Sequence, residues 1–222
     1  MERSKIAILI PAFNEKKTIK KVVKSCLRFG SVIVVDDGST DGTKQILKNL
    51  KNRYLKIIKN EKNIGYEKSL QKGFEYLKKK KFEMFITFDA DDQFFTKDLK
   101  RIINHLLDGN DIVIGKRIKF QRVSEYIVSY ISRLTLNIYD PLCGLKGYNN
   151  KIIKKNNFLD KNRYSGTEIL FNSIIKNIKI KQINIRTKSR LDQTRFGSSI
   201  ATELYLLRIL FLILVTYFRG NK

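Results

Sequence analysis

The chain has 222 residues, of which 45 are Lys or Arg and 21 are Asp or Glu, for a formal net charge of +24. Its length suits one α/β domain with a sizeable core, and the spacing of Cys26 and Cys143 supports neither a disulfide nor a cysteine metal site, so a reducing cytoplasm is expected. The charge suits an anionic lipid surface, nucleic acid or a solvated lysine-rich surface, but no zinc-finger spacing, aromatic RNA-binding motif or helix-turn-helix pattern supports nucleic acid.

Strands and helices alternate through the first half of the sequence. Short apolar runs predict the strands, and the amphipathic segments between them predict the helices. The predicted strands lie near residues 5–10, 31–36, 54–59, 84–89 and 111–115, and the predicted helices near 15–28, 42–51, 65–80 and 97–107. This alternation predicts an α/β fold with a mostly parallel sheet and helices on both faces.

Acidic and turn-forming residues follow three of the predicted strands. The first strand runs into Pro11-Ala12-Phe13-Asn14-Glu15, the second into Asp36-Asp37-Gly38-Ser39, and the fourth into Asp89-Ala90-Asp91-Asp92. Strand-to-helix turns with capping acids explain any one of these segments. Ligands in open α/β sheets bind beyond the carboxyl ends of the strands, so the three segments together predict a single site.

The acids after the fourth predicted strand have the spacing of a metal site. Side chains two apart on a strand point the same way, so Asp89 and Asp91 can converge on one cation, with Asp92 turned elsewhere and Gln93 back on the same side. Hard oxygen ligands of this kind suit Mg2+ or Mn2+, which share their coordination with substrate phosphates. A solvated loop is the alternative for this cluster taken alone.

Four motifs occur in the order in which one enzyme family carries them. They read Ile10-Pro11-Ala12-Phe13-Asn14-Glu15, Val34-Val35-Asp36-Asp37-Gly38-Ser39-Thr40-Asp41-Gly42-Thr43, Asn63-Ile64-Gly65-Tyr66 and Phe88-Asp89-Ala90-Asp91-Asp92-Gln93. Together they resemble family 2 glycosyltransferases of the GT-A (Rossmann-like) fold, and are most similar to dolichol-phosphate mannose synthases and their bacterial polyprenyl-phosphate relatives. The resemblance implies a glycosyltransferase domain over residues 1–199 and a C-terminal helix at 200–222.

The resemblance also assigns roles to the strand-end residues. It implies an inverting, metal-dependent transfer of a hexose from GDP-mannose or a UDP-hexose, with Mg2+ or Mn2+ beside the leaving diphosphate. The expected nucleotide-sugar contacts are Pro11, Ala12, Phe13, Glu15, Val35, Asp37, Asp89, Ala90 and Asp91. The expected metal ligands are Asp91 and Gln93, with Asp89 beside them, and the expected catalytic residues are Asp89, Asp91 and Arg117. Val35 fits a core position equally well.

The acceptor half of the sequence favours a phosphate. Polysaccharide-forming family members usually carry an acid pair and a Gln-x-x-Arg-Trp motif, whereas this chain has no Trp and reads Gly166-Thr167-Glu168-Ile169 at that place. A phosphate monoester such as dolichyl or undecaprenyl phosphate is already ionised at pH 7, so it needs positioning cations rather than a general base. The resemblance nominates Arg117, Ser132, Arg133 and Arg190 for the acceptor phosphate, and Thr194 and Arg195 for a loop over the donor. The arginines also fit an ordinary basic surface.

Two apolar segments of the second half predict contact with a membrane. Apolar residues recur at helical spacing from Val123 to Ile138, within an amphipathic insertion of about 118–139. The segment from Leu204 to Phe218 would be about 22 Å long as a helix, which is short against a hydrocarbon core of about 30 Å. Both segments are expected in the membrane interface at the cytoplasmic face, peripheral or monotopic, with or without a membrane partner subunit. Packing on the core is the alternative for each.

Two other functions fit parts of the sequence. A transferase of the same fold could extend a lipid-linked or surface oligosaccharide, with Glu168 as its candidate base. A non-catalytic basic protein could bind anionic membranes or nucleic acid. The presence of Asp89, Asp91 and Gln93 argues against this second function, because such a protein has no need of a diphosphate-bound metal.

Overall fold

The computed structural model describes residues 3–120, 122–155, 169–171, 173–174, 178–189 and 200–220. After a short 3-10 turn at Arg3–Lys5, strands and helices alternate along the chain, and a few helical residues also lie at 169–171 and 173–174. The strands are β1 Ile6–Ala12, β2 Ser31–Asp36, β3 Leu55–Lys59, β4 Met84–Thr87, β5 Ile112–Arg117, β6 Lys146–Asn149 and β7 Ile180–Ile185. The helices are α1 Ile19–Cys26, α2 Thr43–Asn49, α3 Tyr66–Lys78, α4 Thr96–Leu107, α5 Val123–Leu136, α6 Asn150–Lys155 and α7 Ile200–Gly220.

The described strands form one sheet in the order β3-β2-β1-β4-β6-β5-β7. The pairings among β1, β2, β3 and β4 are parallel, as is the pairing of β5 with β7. Only β6 runs against its neighbours within this sheet, because it pairs antiparallel with both β4 and β5. The predicted α/β fold with a mostly parallel sheet is therefore confirmed.

The centre of the sheet is buried on both faces. Every residue of β1 is buried, and so are all residues of β2 after Ser31. Successive side chains of a strand point to opposite faces, so both faces of these strands must be covered. Their near-continuous runs of Ile, Val and Leu are what parallel strands of this kind require. The carboxyl ends of β1, β2 and β4 lie side by side because these strands are neighbours and parallel.

The loop after β2 starts α2 through its own side chains. Asp41 accepts hydrogen bonds from the Thr43 backbone N–H (3.0 Å) and hydroxyl (2.6 Å), so it satisfies a donor in the first turn of α2. Its other oxygen accepts from the Lys16 N–H at 3.1 Å. These contacts connect the loop after β2 to the loop after β1.

Helices α5 and α7 pack against each other beside the sheet. On α5, Val128 and Ser132 are buried, whereas Val123, Tyr126, Ile127, Tyr130 and Leu134 are exposed. On α7, Leu206, Ile209 and Ile213 are buried, and Leu207, Phe211, Leu214 and Phe218 are exposed. We call these two sets of exposed side chains the apolar face of α5 and α7. Among the described residues, no helix combines the length and apolar character needed to cross a bilayer.

Candidate active site

A cavity of about 430 Å³ lies at the carboxyl ends of β1, β2 and β4. This volume is within the range of pockets that hold small ligands. Its walls come from the loops after these strands, the start of α3, and residues of β5, α5 and α7. The lining residues are Pro11, Ala12, Phe13, Glu15, Asp37, Asn63, Gly65, Tyr66, Ser69, Asp89, Ala90, Asp91, Gln93, Arg117, Arg122, Glu125, Leu142, Gly144 and Leu206. The cavity brings together every predicted nucleotide-sugar contact except Val35, which is fully buried in β2.

Asp37 holds one wall of the cavity in place. Its Oδ1 accepts hydrogen bonds from the Asn60 side-chain amide and the Ile64 backbone N–H, and its Oδ2 accepts from the Gly65 N–H, each at 2.9 Å. A carboxylate offers about four acceptor sites, so these contacts leave about one for a ligand donor. Gly38 follows with a φ of +71°, and a Cβ there would lie 2.6 Å from the Lys62 carbonyl carbon. The glycine therefore lets the 60–65 loop approach β2 closely.

Asp89 is a half-buried residue whose carboxyl group lines the cavity. Its Oδ1 accepts a hydrogen bond from the Tyr66 hydroxyl at 3.0 Å. Burial and, to a smaller extent, the negative charge of Asp91 together raise the pKa of Asp89 to about 7, although the Tyr66 hydroxyl, Lys146 and Arg117 act in the opposite direction. Gly144 makes room for this group, since a Cβ at position 144 would lie 2.1 Å from Asp89 Oδ2.

Asp91 and Gln93 reach the same cavity as Asp89, and Asp91 Oδ1 accepts a hydrogen bond from the Gln93 N–H at 3.1 Å. Asp92 has a φ of +60°, is not among the lining residues, and contacts Lys21 and Lys188 instead. This agrees with the expectation that Asp92 is turned elsewhere.

These side chains fit a divalent cation. Two carboxylates that disfavour each other's charge form an oxygen donor set that Mg2+ or Mn2+ would stabilise. No group of three or more His, Cys, Asp or Glu side chains able to hold a metal occurs in the described part of the chain. Substrate phosphates, water and the Gln93 amide would therefore complete the coordination, as is usual for Mg2+.

Arg117 lies on the opposite wall, at the end of β5, and is held by two acids. Its Nε and Nη2 donate to the two oxygens of Asp140 at 2.7 and 3.0 Å, and its Nη1 lies 3.3 Å from Glu125 Oε2. These acids raise the pKa of Arg117 despite its burial, so the guanidinium stays charged. Asp140 and Glu125 therefore partly balance the positive charge of Arg117 before any ligand binds.

The other predicted acceptor residues lie away from the cavity or outside the described residues. Ser132 is fully buried on α5, and its hydroxyl has no hydrogen-bond partner among the described residues. Arg133 is exposed, with its guanidinium 5.0 Å from the ring centroid of Tyr139. Glu168, Arg190, Thr194 and Arg195 fall outside the described residues.

Several lining residues were not assigned to the site from the sequence, among them Tyr66, Arg122 and Glu125. Tyr66 directly follows Gly65 in one of the quoted motifs, and its position at the first turn of α3 could have suggested that it faces the strand ends. Arg122 and Glu125 stand at the start of α5, and only the packing of α5 beside β5 brings them to the cavity.

Comparison with known proteins assigns the class. The fold is similar to that of the glucosyl-3-phosphoglycerate synthase of Mycobacterium tuberculosis, which was solved with Mn2+, uridine diphosphate and phosphoglyceric acid. The two superimpose with a TM-score of 0.73 at 17% identity, covering 96% of this chain and 78% of that one. At this identity the similarity shows a shared GT-A fold.

The model of glycosyl transferase family 2 matches residues 7–179. The chain therefore belongs to glycosyltransferase family 2 and is a glycosyltransferase. A UDP-N-acetylglucosamine–dolichyl-phosphate N-acetylglucosaminyltransferase of Methanococcus voltae is 29% identical over 67% of this chain and 71% of its own. A cholesterol galactosyltransferase of Borreliella burgdorferi is 30% identical over 85% of this chain and 52% of its own.

Proposed function

We propose that this glycosyltransferase moves a hexose from a nucleotide diphosphate sugar to a polyprenyl phosphate at a membrane surface, with inversion and with a divalent cation. The observation that carries the proposal is the pair Asp89 and Asp91 in one cavity with Asp37 and Arg117. Similarity to the dolichyl-phosphate transferase of M. voltae supports the acceptor class. Nucleotide release from different GDP- and UDP-sugars identifies the hexose and the base.

On the donor side, each residue has a task that follows from its position. Asp37 and the 60–65 loop that it holds would bind the nucleoside, and Asp89, Asp91 and Gln93 would hold the cation. A bound Mg2+ or Mn2+ neutralises charge that develops on the leaving diphosphate. Tyr66 keeps the Asp89 carboxyl oriented through its hydrogen bond.

On the acceptor side, Arg117 and Arg122 are the two cationic side chains that line the cavity among the described residues. Arg117 is fixed by Asp140, so it presents a constant orientation and an unchanging charge. Arg122 lies at the start of α5, next to the exposed Val123. It is therefore placed to contact an acceptor phosphate that approaches along that helix.

The apolar face of α5 and α7 supports the membrane part of the proposal. Large exposed apolar patches on soluble proteins mark contact with other molecules or with membranes. Both helices contribute residues to the cavity wall: Glu125 lies on α5, which begins directly after Arg122, and Leu206 lies on α7. A lipid acceptor whose chain stays in the membrane would thus reach the cavity from this face. The net charge of +24 adds attraction to anionic lipid.

Glu125 favours a second candidate function, transfer to a neutral hydroxyl. Its carboxylate lines the cavity and lies beside Arg117. A sugar or sterol hydroxyl needs a general base, and Glu125 has the chemistry for that role. Glu168, the base expected for oligosaccharide extension, lies outside the described residues. The cholesterol galactosyltransferase of B. burgdorferi is a relative whose named acceptor is of this neutral kind.

The test is nucleotide release from a panel of GDP- and UDP-sugars with Mg2+ or Mn2+, with and without a short polyprenyl phosphate. We expect release that requires both the metal and the lipid phosphate, together with a glycosyl phospholipid product. Release only with a saccharide or sterol acceptor would overturn the first candidate in favour of the second, and Glu125→Gln would then abolish it.

A matched pair of variants tests the non-catalytic alternative. Asp91→Ala should abolish turnover and keep vesicle binding, while Asp108→Ala, at the exposed end of α4, should retain both. Turnover undetectable in the unmodified protein with every donor and acceptor would instead favour a non-catalytic membrane protein.

A further inference from the structure

Asp92 is the one acid of the Asp89–Asp92 run that does not line the cavity among the described residues. Its φ of +60° is in the left-handed region, which Asp tolerates better than most side chains. A backbone turn at this position directs the carboxylate away from the predicted metal site.

Its carboxylate joins two distant parts of the chain. Oδ2 lies 2.6 Å from Lys21 Nζ on α1, and Oδ1 lies 2.8 Å from Lys188 Nζ, just after β7. Although burial acts in the opposite direction, hydrogen bonds from Lys188 and Lys21 hold the pKa of Asp92 below its usual value. The Asp92 side chain is only 15% exposed, so this pair of contacts is better shielded than an ordinary surface ion pair.

Lys188 is attached to the acidic loop by its backbone as well. Its N–H donates to the Gln93 carbonyl at 2.9 Å, and the Gln93 side-chain amide donates to the Lys188 carbonyl at 3.4 Å. Phe94, one residue after Gln93, and Thr187, one residue before Lys188, form an antiparallel bridge. The 187–188 segment therefore lies along the loop that contains Asp91 and Gln93.

We propose that Asp92 is a positioning residue, whose ion pairs with Lys188 and Lys21 fix the loop so that Asp91 and Gln93 can share a divalent cation with a diphosphate. The inference rests on the proposed function, because it assumes that a metal–nucleotide complex binds between these side chains. Partners that orient metal ligands typically change metal affinity by about 10–100-fold when they are removed.

The experiment measures Mn2+ binding by calorimetry in the presence of saturating UDP or GDP. Asp92→Asn keeps the size and the left-handed backbone preference, and it should raise the Mn2+ dissociation constant about tenfold. Lys188→Met should do the same, and Lys188→Arg should restore most of the affinity. Lys21→Met should have a smaller effect of about threefold, because its side chain is 67% exposed.

Lys97→Met is the matched control. Like Lys188, Lys97 lies about 5 Å from the ring centroid of Phe95, at 5.1 against 5.0 Å, but no ion pair joins it to Asp92. It should leave the Mn2+ affinity within about twofold. If the Asp92→Asn variant binds Mn2+ with the same affinity as the Lys97→Met variant, the proposal is overturned.

A second readout separates this proposal from the proposed function. Hydrogen exchange of the Lys188 N–H should become faster in Asp92→Asn, because the ion pair no longer holds the 187–188 segment on the loop. Unchanged exchange would overturn the positioning role even if Mn2+ binds. Failure of the unmodified protein to bind Mn2+ with either nucleotide would overturn the proposed function, and faster exchange would still support the role of Asp92 in holding the loop.

Discussion

Asp37 and Asp89, which follow β2 and β4, are held by hydrogen bonds in the cavity, whereas the apolar face of α5 and α7 is exposed. Asp37 accepts three hydrogen bonds from the 60–65 loop, and Asp89 is held between Tyr66 and Gly144. Tyr130 and Leu134, by contrast, are 64% and 66% exposed. The difference teaches that contacts within the fold hold the acids of the cavity, while the described parts of α5 and α7 leave apolar surface exposed.

The largest expected effect is on the donor side. Asp91→Asn removes a charged oxygen ligand, so turnover should fall by about 10²–10³-fold, as when an electrostatic stabiliser of a leaving group is lost. Nucleotide release at saturating donor measures it, with Asp108→Asn as the control. A fall of less than tenfold would contradict the assignment of Asp91 to the metal.

Gly144→Ala tests whether the donor side depends on close packing. The new Cβ would meet Asp89 Oδ2 at 2.1 Å, so the carboxyl must move, and activity should fall by about 10²-fold. Gly73→Ala is the comparison, because its Cβ would meet Leu9 Cδ1 at 2.2 Å in the core, away from the cavity.

Gly73→Ala should therefore lower the free energy of unfolding by about 1–3 kcal/mol through overpacking, and retain activity per folded molecule. Thermal melts and turnover, measured on both variants, separate the two effects. Equal loss of activity in both would show that position 144 has no special relation to the site.

Substitutions on the apolar face of α5 and α7 should weaken membrane binding and leave turnover with a soluble acceptor unchanged. Tyr130→Ser with Leu134→Ser removes two exposed apolar side chains from α5, so binding to anionic vesicles should weaken by about 30-fold. Leu107→Ser on α4 is the control, since Leu107 is also exposed, at 54%, and lies outside the apolar face of α5 and α7. Vesicle co-sedimentation measures all three proteins, and equal binding would contradict a membrane role for this face.

The smallest expected effect distinguishes two candidate acceptor cations. Arg122→Gln should raise the KM for a polyprenyl phosphate about tenfold and leave the donor KM unchanged, because a lost charged hydrogen bond is worth about 1.5–3 kcal/mol. Arg133→Gln removes an exposed arginine that the sequence nominates and that stacks on Tyr139. A rise in acceptor KM for Arg133→Gln alone would restore the sequence-based assignment.

The sequence predicts the first half of the fold well because its signals are local. Each apolar run that ends in acids or turn residues became a strand, and the helices began and ended within a few residues of the predicted bounds. The short strand β6 was not predicted. With four residues, it is defined by pairing to β4 and β5 rather than by its own pattern.

The site residues that directly follow strands could be predicted from the sequence. Those that reach the cavity only through the packing of distant segments could not. Val35, which the resemblance assigned to the nucleotide, is instead in the core position that the sequence offered as its alternative, because every residue of β2 beyond the first is buried. Arg117 was predicted as a cation for the acceptor phosphate, which stays a prediction. Its pairing with Asp140, 23 residues further on, is a contact that spacing does not reveal.

The antiparallel strand β6 has a consequence for how such enzymes diversify. Ile114 on β5 pairs with Lys146 on β6, so the intervening segment, which contains α5, leaves and re-enters the sheet at neighbouring positions. Paired strands are separated by only about 4.8 Å, and a loop whose ends meet can change length at small entropic cost. We therefore expect that much of this stretch, apart from Asp140 and Gly144, which contact Arg117 and Asp89, can change in length and sequence while the register of β1, β2 and β4 stays the same.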